Sequence, residues 1–175
     1  MLNHLKMPPQ PFRVATDWDA VKKALGQALP GDYTSFVDAY GLGAVDGFLS
    51  VLVPNAPTPF LDLVTQIADQ RESVREATRD GAVATPEWIR DVDDLFCWGI
   101  TANGDVLFWV RDASGPEKWA IAVMASRCEE WARYELSMSD FIDRLCSGTL
   151  RCGIFPDDFP DAAEFIAHVE PLGRR

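Results

Sequence analysis

The stretch LFCWGITANGDVLFWV, residues 95–110, decides the fold of this chain. Its two apolar runs, 95–101 and 105–110, are rich in strand-forming residues, and Ala102-Asn103-Gly104 separates them. An Asn-Gly pair between two such runs is a strong turn signal, because both residues tolerate a positive φ. The stretch therefore predicts a β-hairpin, and the tightness of its turn makes the pairing antiparallel.

Further strands are predicted on both sides of this hairpin. The run 119–124 is apolar throughout and predicts a buried strand. The run 130–134 has one polar face, which predicts a strand at a sheet edge or in a half-exposed position. Before the hairpin, the run 48–53 is apolar and ends at Pro54, which is typical of a buried strand. The chain thus predicts a meander of about four strands, preceded by one more.

Apolar residues at helical spacing predict several helices around these strands. Asp17 is a candidate N-cap for a helix over 17–29, and Asp32 for a second helix that ends at Gly41. A third helix is predicted over 59–79, with Phe60 on its apolar side. Ser137 begins a capping pattern for a fourth helix that ends near Gly148. A short last helix over 161–169 is also compatible with the pattern.

These elements predict an α+β fold in a single domain. The chain has 175 residues, 47% of them hydrophobic and 25% charged, which is a globular balance. Residues 1–16 contain three prolines and no periodicity, so they predict an irregular lead-in, with the domain over 17–175. The sheet is expected to be mainly antiparallel, or mixed, with helices on one face and at the ends. The other face is expected to be partly open, which is where a binding protein can carry its function.

The net charge of -11 limits the partners that this chain can attract. Its field repels nucleic-acid phosphates and acidic membrane surfaces, so neither is an expected partner. A basic protein would instead be attracted, and its association would be faster. The alternative is that the charge serves only to keep the protein in solution.

The cysteines and the N-terminal residues indicate a reducing compartment. Cys97, Cys128, Cys146 and Cys152 form no CxxC pair, so neither zinc nor a disulfide framework is expected, and they are interpreted as buried thiols. The first residues lack the apolar run of a signal peptide, and no stretch approaches a membrane span. We expect a cytoplasmic protein.

The residues that could carry chemistry are sparse. His4 and His168 lie near opposite ends of the chain, and neither has the setting of a general base. Gly41-Leu42-Gly43 follows a helix, whereas phosphate loops follow a strand, so it is interpreted as a turn. The acid-rich sets at 91–94 and 157–161 lack the layout of a calcium loop. We therefore expect a protein that catalyses nothing and needs no cofactor and no metal.

Several segments in order resemble the SUKH superfamily, the Smi/Knr-type proteins. The resemblance covers about residues 17–160 and depends on the order and spacing of the segments, each of which is a structural motif. The segments are Leu29-Pro30-Gly31-Asp32-Tyr33-Thr34-Ser35-Phe36, Tyr40-Gly41-Leu42-Gly43, Phe48-Leu49-Ser50-Val51-Leu52-Val53-Pro54, Phe96-Cys97-Trp98-Gly99-Ile100-Thr101-Ala102-Asn103-Gly104-Asp105, Trp119-Ala120-Ile121-Ala122-Val123 and Ser139-Asp140-Phe141-Ile142-Asp143-Arg144-Leu145.

The resemblance implies an α+β fold and, for bacterial members, an immunity protein that masks a cognate toxin, often a nuclease. Other relatives are regulatory or scaffold modules, and a carboxylate-dependent hydrolase is a third possibility that the acids leave open. The resemblance supplies no contact residues. From charge and aromaticity we expect the partner, a basic toxin domain, to contact Asp91, Asp93, Asp94, Trp109, Asp157 and Asp158. Self-association stays open, because an exposed strand edge can pair with a second copy.

Overall fold

The computed structural model describes residues 2–81, 84–126 and 130–169. These residues form four α-helices and seven β-strands of an α+β domain. In chain order the elements are α1 (Trp18–Leu25), α2 (Gly31–Tyr40), β1 (Gly43–Val45), β2 (Leu49–Val51), α3 (Leu63–Arg79), β3 (Leu95–Thr101), β4 (Val106–Val110), β5 (Ala120–Met124), β6 (Trp131–Tyr134), α4 (Met138–Cys146) and β7 (Phe165–Ala167).

The seven strands form one antiparallel sheet in the order β6-β5-β4-β3-β2-β1-β7. The predicted hairpin is confirmed as β3 and β4, and it lies at the centre of the sheet. The predicted edge position of β6 is confirmed as well. The α+β fold expected from the sequence is therefore the fold of the chain.

One face of the sheet is covered by helices. Cross-strand partners share a face, so Phe96, Trp109, Ile121 and Tyr134 lie in one row across β3 to β6. Tyr33 of α2 meets Trp109 with ring centroids 4.9 Å apart, and Phe141 of α4 meets Tyr134 at 5.0 Å. We call this the helical face, and it contains the core of the domain.

The opposite face is covered in one half only. Within the meander its residues are buried: Phe108 is 0% exposed, and Trp88, from the segment between α3 and β3, packs near it against Trp131. In the other half the row Ile166–Ala44–Ser50–Ile100 crosses β7, β1, β2 and β3 and is only partly buried. The expectation of a partly open face agrees with this half of the sheet.

Helix α3 lies beside the first half of β3. The short strand β2 pairs only with residues 99–101 of β3, so it does not reach this half. The Arg71 side chain donates hydrogen bonds to the carbonyl oxygens of Leu95 (2.7 Å) and Asp93 (2.7 Å), and its guanidinium lies 4.2 Å from the Phe96 ring centroid. These bonds satisfy carbonyls that an extended neighbouring strand would otherwise pair. Burial lowers the pKa of Arg71, although Asp93 and Asp94 oppose this shift.

Local capping explains where the helices begin and end. The predicted caps Asp17 and Ser137 are confirmed, and each accepts backbone N–H bonds from the first turn of its helix. Helix α1 ends at Leu25, earlier than predicted, because Gly26 turns the chain with φ 73°. Asp32 is not a cap: it lies inside α2, and its carboxylate accepts a hydrogen bond from the backbone N–H of Ser139 at 2.8 Å.

Two further predictions, the short helix over 161–169 and the positive φ at Asn103, are wrong, whereas the irregular lead-in is observed. Residues 161–169 form no helix; β7 pairs there with β1 instead, because the edge of β1 needs a partner and the helical pattern is weak. The lead-in is irregular but well packed, since Leu5 is 4% exposed and Lys6 donates its backbone N–H to Ala163. At the hairpin turn only Gly104 has a positive φ, of 87°, so Asn103 does not form the expected paired left-handed turn.

Candidate protein-binding surfaces

The acidic turn before β3 is largely neutralised by the protein itself. The Asp91 carboxylate accepts the backbone N–H of Asp93 at 2.9 Å and so caps a single helical turn. Asp93 forms an ion pair with Arg75, and Asp94 forms one with Arg111 at 2.6 Å. The three predicted contact residues are thus exposed or half-exposed, but two of their charges are already paired.

Trp109, the predicted aromatic contact residue, is a core residue. Its side chain is 1% exposed and lies on the helical face between Tyr33 and Trp98. The expectation that it touches a partner is therefore wrong, because both α2 and the sheet enclose its ring. The sequence could not show this, since every residue of β4 is apolar and the strand is buried on both faces.

Asp157 and Asp158 are exposed on the segment between α4 and β7. Their carboxylates form no ion pair or hydrogen bond within the described ranges. Phe159 anchors this segment, because its ring packs 4.6 Å from that of Phe48 in the β1–β2 turn. These two acids therefore combine a fixed position with unpaired charge.

The two acidic sets lie at opposite ends of the sheet. Asp94 directly precedes Leu95, the first residue of β3. The other set is anchored through Phe159 to Phe48, whose carbonyl accepts the backbone N–H of Ala102, the residue after the last one of β3. A seven-residue strand spans about 20 Å. The two sets therefore do not form the single acidic patch that one contact surface would require.

The open half of the sheet carries exposed apolar side chains. We call the row Ile166, Ala44, Ser50 and Ile100 the open row. Ile166 is 53% exposed and Phe60 is 79% exposed. Leu61, the residue after Phe60, lines a shallow pocket together with Ile166. On the other side of the same strands, Phe165, Val45 and Leu49 are at most 2% exposed. Exposed large apolar side chains of this kind mark contact surfaces.

Phe60 was expected inside a helix and is not. Helix α3 begins only at Leu63, because Asp62 caps it by accepting the backbone N–H of Thr65 at 2.8 Å. Phe60 therefore lies in the preceding loop, directly after Pro59, with its ring in solvent. The prolines and the Asp-x-x-Thr spacing are the signals in the sequence that could have placed it there.

Asp46 fixes the border between the open row and the acidic segment. Its carboxylate accepts backbone N–H bonds from Asp161 (2.8 Å), Ala163 (3.2 Å) and Glu164 (2.8 Å). A side chain at Gly47, the next residue, would meet Cδ1 of Ile166 at 3.8 Å. Residues 161–164 are thus held against the β1–β2 turn, next to Ile166 of the open row.

A second concave region lies at the other end of the sheet, across the ends of β3 to β6. This cleft has a volume of about 680 Å³, and Val110, Trp119 and Ala120 form its apolar floor. Four cationic and three anionic side chains line it. They are Arg90, Arg111, Lys118 and Arg133, with Asp94, Asp112 and Glu135.

The remaining candidates for chemistry lie apart from one another. His4 Nδ1 is 3.0 Å from Asp143 Oδ2 on α4, and the His168 ring packs edge-on against Phe12. Burial raises the pKa of the Cys97 thiol strongly and that of Cys146 to about 12. Cys152 is buried, and Cys128 lies outside the described residues. Among the described residues, no three His, Cys, Asp or Glu side chains are grouped as metal ligands.

No helix in the described part of the chain has both the length and the apolar character needed to cross a membrane. No protein-family model matches the chain, and no curated protein and no solved structure is significantly similar to it.

Proposed function

We propose that this chain is a non-catalytic, cytoplasmic immunity protein of the SUKH type, which neutralises a cognate bacterial toxin by covering its active surface. The α+β fold and the order of motifs support the proposal, since both agree with what the resemblance implies. A basic, nuclease-type toxin domain is the partner that a net charge of -11 would attract.

The observation that carries the proposal is the composition of the open surface. Phe60 and Ile166 are exposed, and the carboxylates of Asp157 and Asp158, on the segment that Phe159 anchors to Phe48, are exposed and form no ion pair in the described residues. Protein interfaces combine an apolar centre, where a few side chains dominate the affinity, with a polar rim. In the proposal, Phe60 and Ile166 supply the centre and the two carboxylates steer a cationic partner.

A capture experiment tests the proposal. The tagged protein is incubated with a lysate of its native host at low and at high salt, and the bound proteins are identified. We expect one basic toxin domain, whose capture weakens as the salt concentration rises. The purified domain should then lose its activity when mixed with an equimolar amount of this protein. Capture of a housekeeping protein at both salt concentrations would instead favour the regulatory or scaffold alternative.

Paired variants locate the surface. Replacing Phe60 and Ile166 by Ser is expected to weaken toxin binding at least about tenfold. Met7, which is 40% exposed, supplies the control: the M7S variant should bind as the wild type does.

The charge contribution is tested separately. D157N/D158N is expected to slow association roughly three- to tenfold at low salt and to reduce its salt dependence. The control D69N/E76Q removes the same charge from exposed positions on α3. Equal slowing by both double variants would mean that net charge alone acts, and would remove Asp157 and Asp158 from the contact surface.

A further inference from the structure

The cleft at the ends of β3 to β6 is lined by four cations and three anions, in a chain of net charge -11. Two of its four cations are paired: Arg111 with Asp94 at 2.6 Å and Arg133 with Glu135 at 2.8 Å. Arg90 and Lys118 are exposed, and their side chains form no hydrogen bond or ion pair within the described ranges. These two side chains therefore remain available to an anionic ligand.

Arg90 and Arg133 lie close enough to Asp112 to affect its pKa. Hydrogen bonds from the Ser114 side chain and backbone lower the pKa of Asp112 most, and the nearby Arg90 and Arg133 lower it further. The Arg133 guanidinium also lies 5.4 Å from the Trp88 ring centroid. Arg133 is thus held between the Trp88 ring and Glu135, which leaves Arg90 and Lys118 as the unpaired cations of the cleft in the described residues.

One residue of the cleft carries an unpaired hydrogen-bond donor. Gln27 lines the cleft, and its Nε2 is buried with no acceptor among the described residues. A ligand carboxylate that met this donor would supply the acceptor that it lacks.

We propose that the cleft binds a carboxylate-bearing peptide segment of a protein ligand, with Arg90 and Lys118 as its anchors. The apolar floor of Val110, Trp119 and Ala120 accommodates the carbon chains of acidic side chains, and a volume of about 680 Å³ suits a short segment. The apolar floor favours such a segment over a polyphosphate, which has no carbon chain to pack there. None of the open-row residues lines this site. Its test therefore needs no toxin.

Fluorescently labelled hexaglutamate at low salt is the probe, with hexaglutamine as the neutral comparison. We expect saturable binding of hexaglutamate only, measured by fluorescence anisotropy. R90Q/K118Q should weaken it at least tenfold. The matched control K6Q/R144Q removes two exposed cations on the β7 side of the molecule and should leave binding within twofold of the wild type.

Three results would overturn the proposal. The first is the absence of saturable hexaglutamate binding to the wild type. The second is an equal loss in both double variants, which would assign the binding to net charge. The third is full displacement of the peptide by equimolar pyrophosphate, which would make the cleft a small-anion site. Circular dichroism of each variant establishes that it is folded, and Q27M provides a second readout, because it should weaken binding without changing the charge.

Discussion

The two halves of the non-helical sheet face differ, although they belong to one continuous sheet. In the meander half, Phe108 and Met124 are buried, and Trp88, from the segment between α3 and β3, packs against Trp131 beside Phe108. In the other half, the open row has small or partly exposed side chains, and Ile166 is 53% exposed. The difference teaches that one half of this face stabilises the fold while the other is free to bind, and the predictions below test that division.

The largest expected effect concerns the covered half. F108A should lower the free energy of unfolding by about 3–5 kcal/mol, because it removes a fully buried ring and leaves a cavity. I166A, in the open half, should change it by less than about 0.5 kcal/mol. Urea denaturation of both variants measures the difference. Similar losses in the two variants would contradict the division of the face.

The next effect concerns Arg71, whose side chain binds backbone carbonyls at the start of β3. R71L keeps apolar bulk near Phe96 but removes both hydrogen bonds to the carbonyls of Leu95 and Asp93. We expect a loss of about 1–3 kcal/mol in urea denaturation. R79Q, at the exposed end of α3, is the control and should stay within about 0.5 kcal/mol of the wild type.

A smaller effect sharpens the border of the open row. D46A removes the acceptor of three backbone N–H groups and places Ala at a φ of 48°, which Asp and Asn tolerate better. We expect a loss of about 1–2 kcal/mol, with D46N losing less. Hydrogen exchange of the amides of residues 161–164 measures the change directly. Unchanged protection in D46A would show that Asp46 does not hold this segment.

The smallest effect is a pH dependence of stability that arises at Asp143 of α4, next to His4. Burial raises the pKa of Asp143, but the His4 ring and the backbone N–H groups of His4 and Asn3 outweigh it, so the pKa lies below its usual value. A lowered pKa in the folded state stabilises the fold above the unfolded value of about 4, and this contribution is lost as the pH falls through the folded value. The stability difference between wild type and D143N should therefore be present at pH 6 and vanish towards pH 3. A difference that does not change with pH would contradict this assignment.

The fold was predictable where local signals agree with tertiary packing. The hairpin, the edge position of β6 and the caps Asp17 and Ser137 each follow from the residues involved, and the structure confirms them. β7 was not predictable, because only its pairing with β1 makes residues 165–167 extended. Long-range pairing of this kind leaves no local pattern.

The candidate site was less predictable than the fold. Acidic residues are visible in a sequence, but their ion pairs are not: Asp93 and Asp94 meet Arg75 and Arg111, which lie 17 or 18 positions away. Trp109 could not be placed by alternation, since β4 is apolar on both faces. The open row became visible only from the register, which brings Ala44 and Ile166 into one line.

The pairing of β7 with β1 has a consequence for the order of synthesis. Val45 leaves the ribosome more than a hundred residues before its partner Phe165, so this edge of β1 stays unpaired until β7 has emerged. Pairings of such large sequence separation close late in folding. The nascent chain would thus carry an incomplete open row until then, and a partner that recognises this surface would bind only molecules in which β7 has paired with β1.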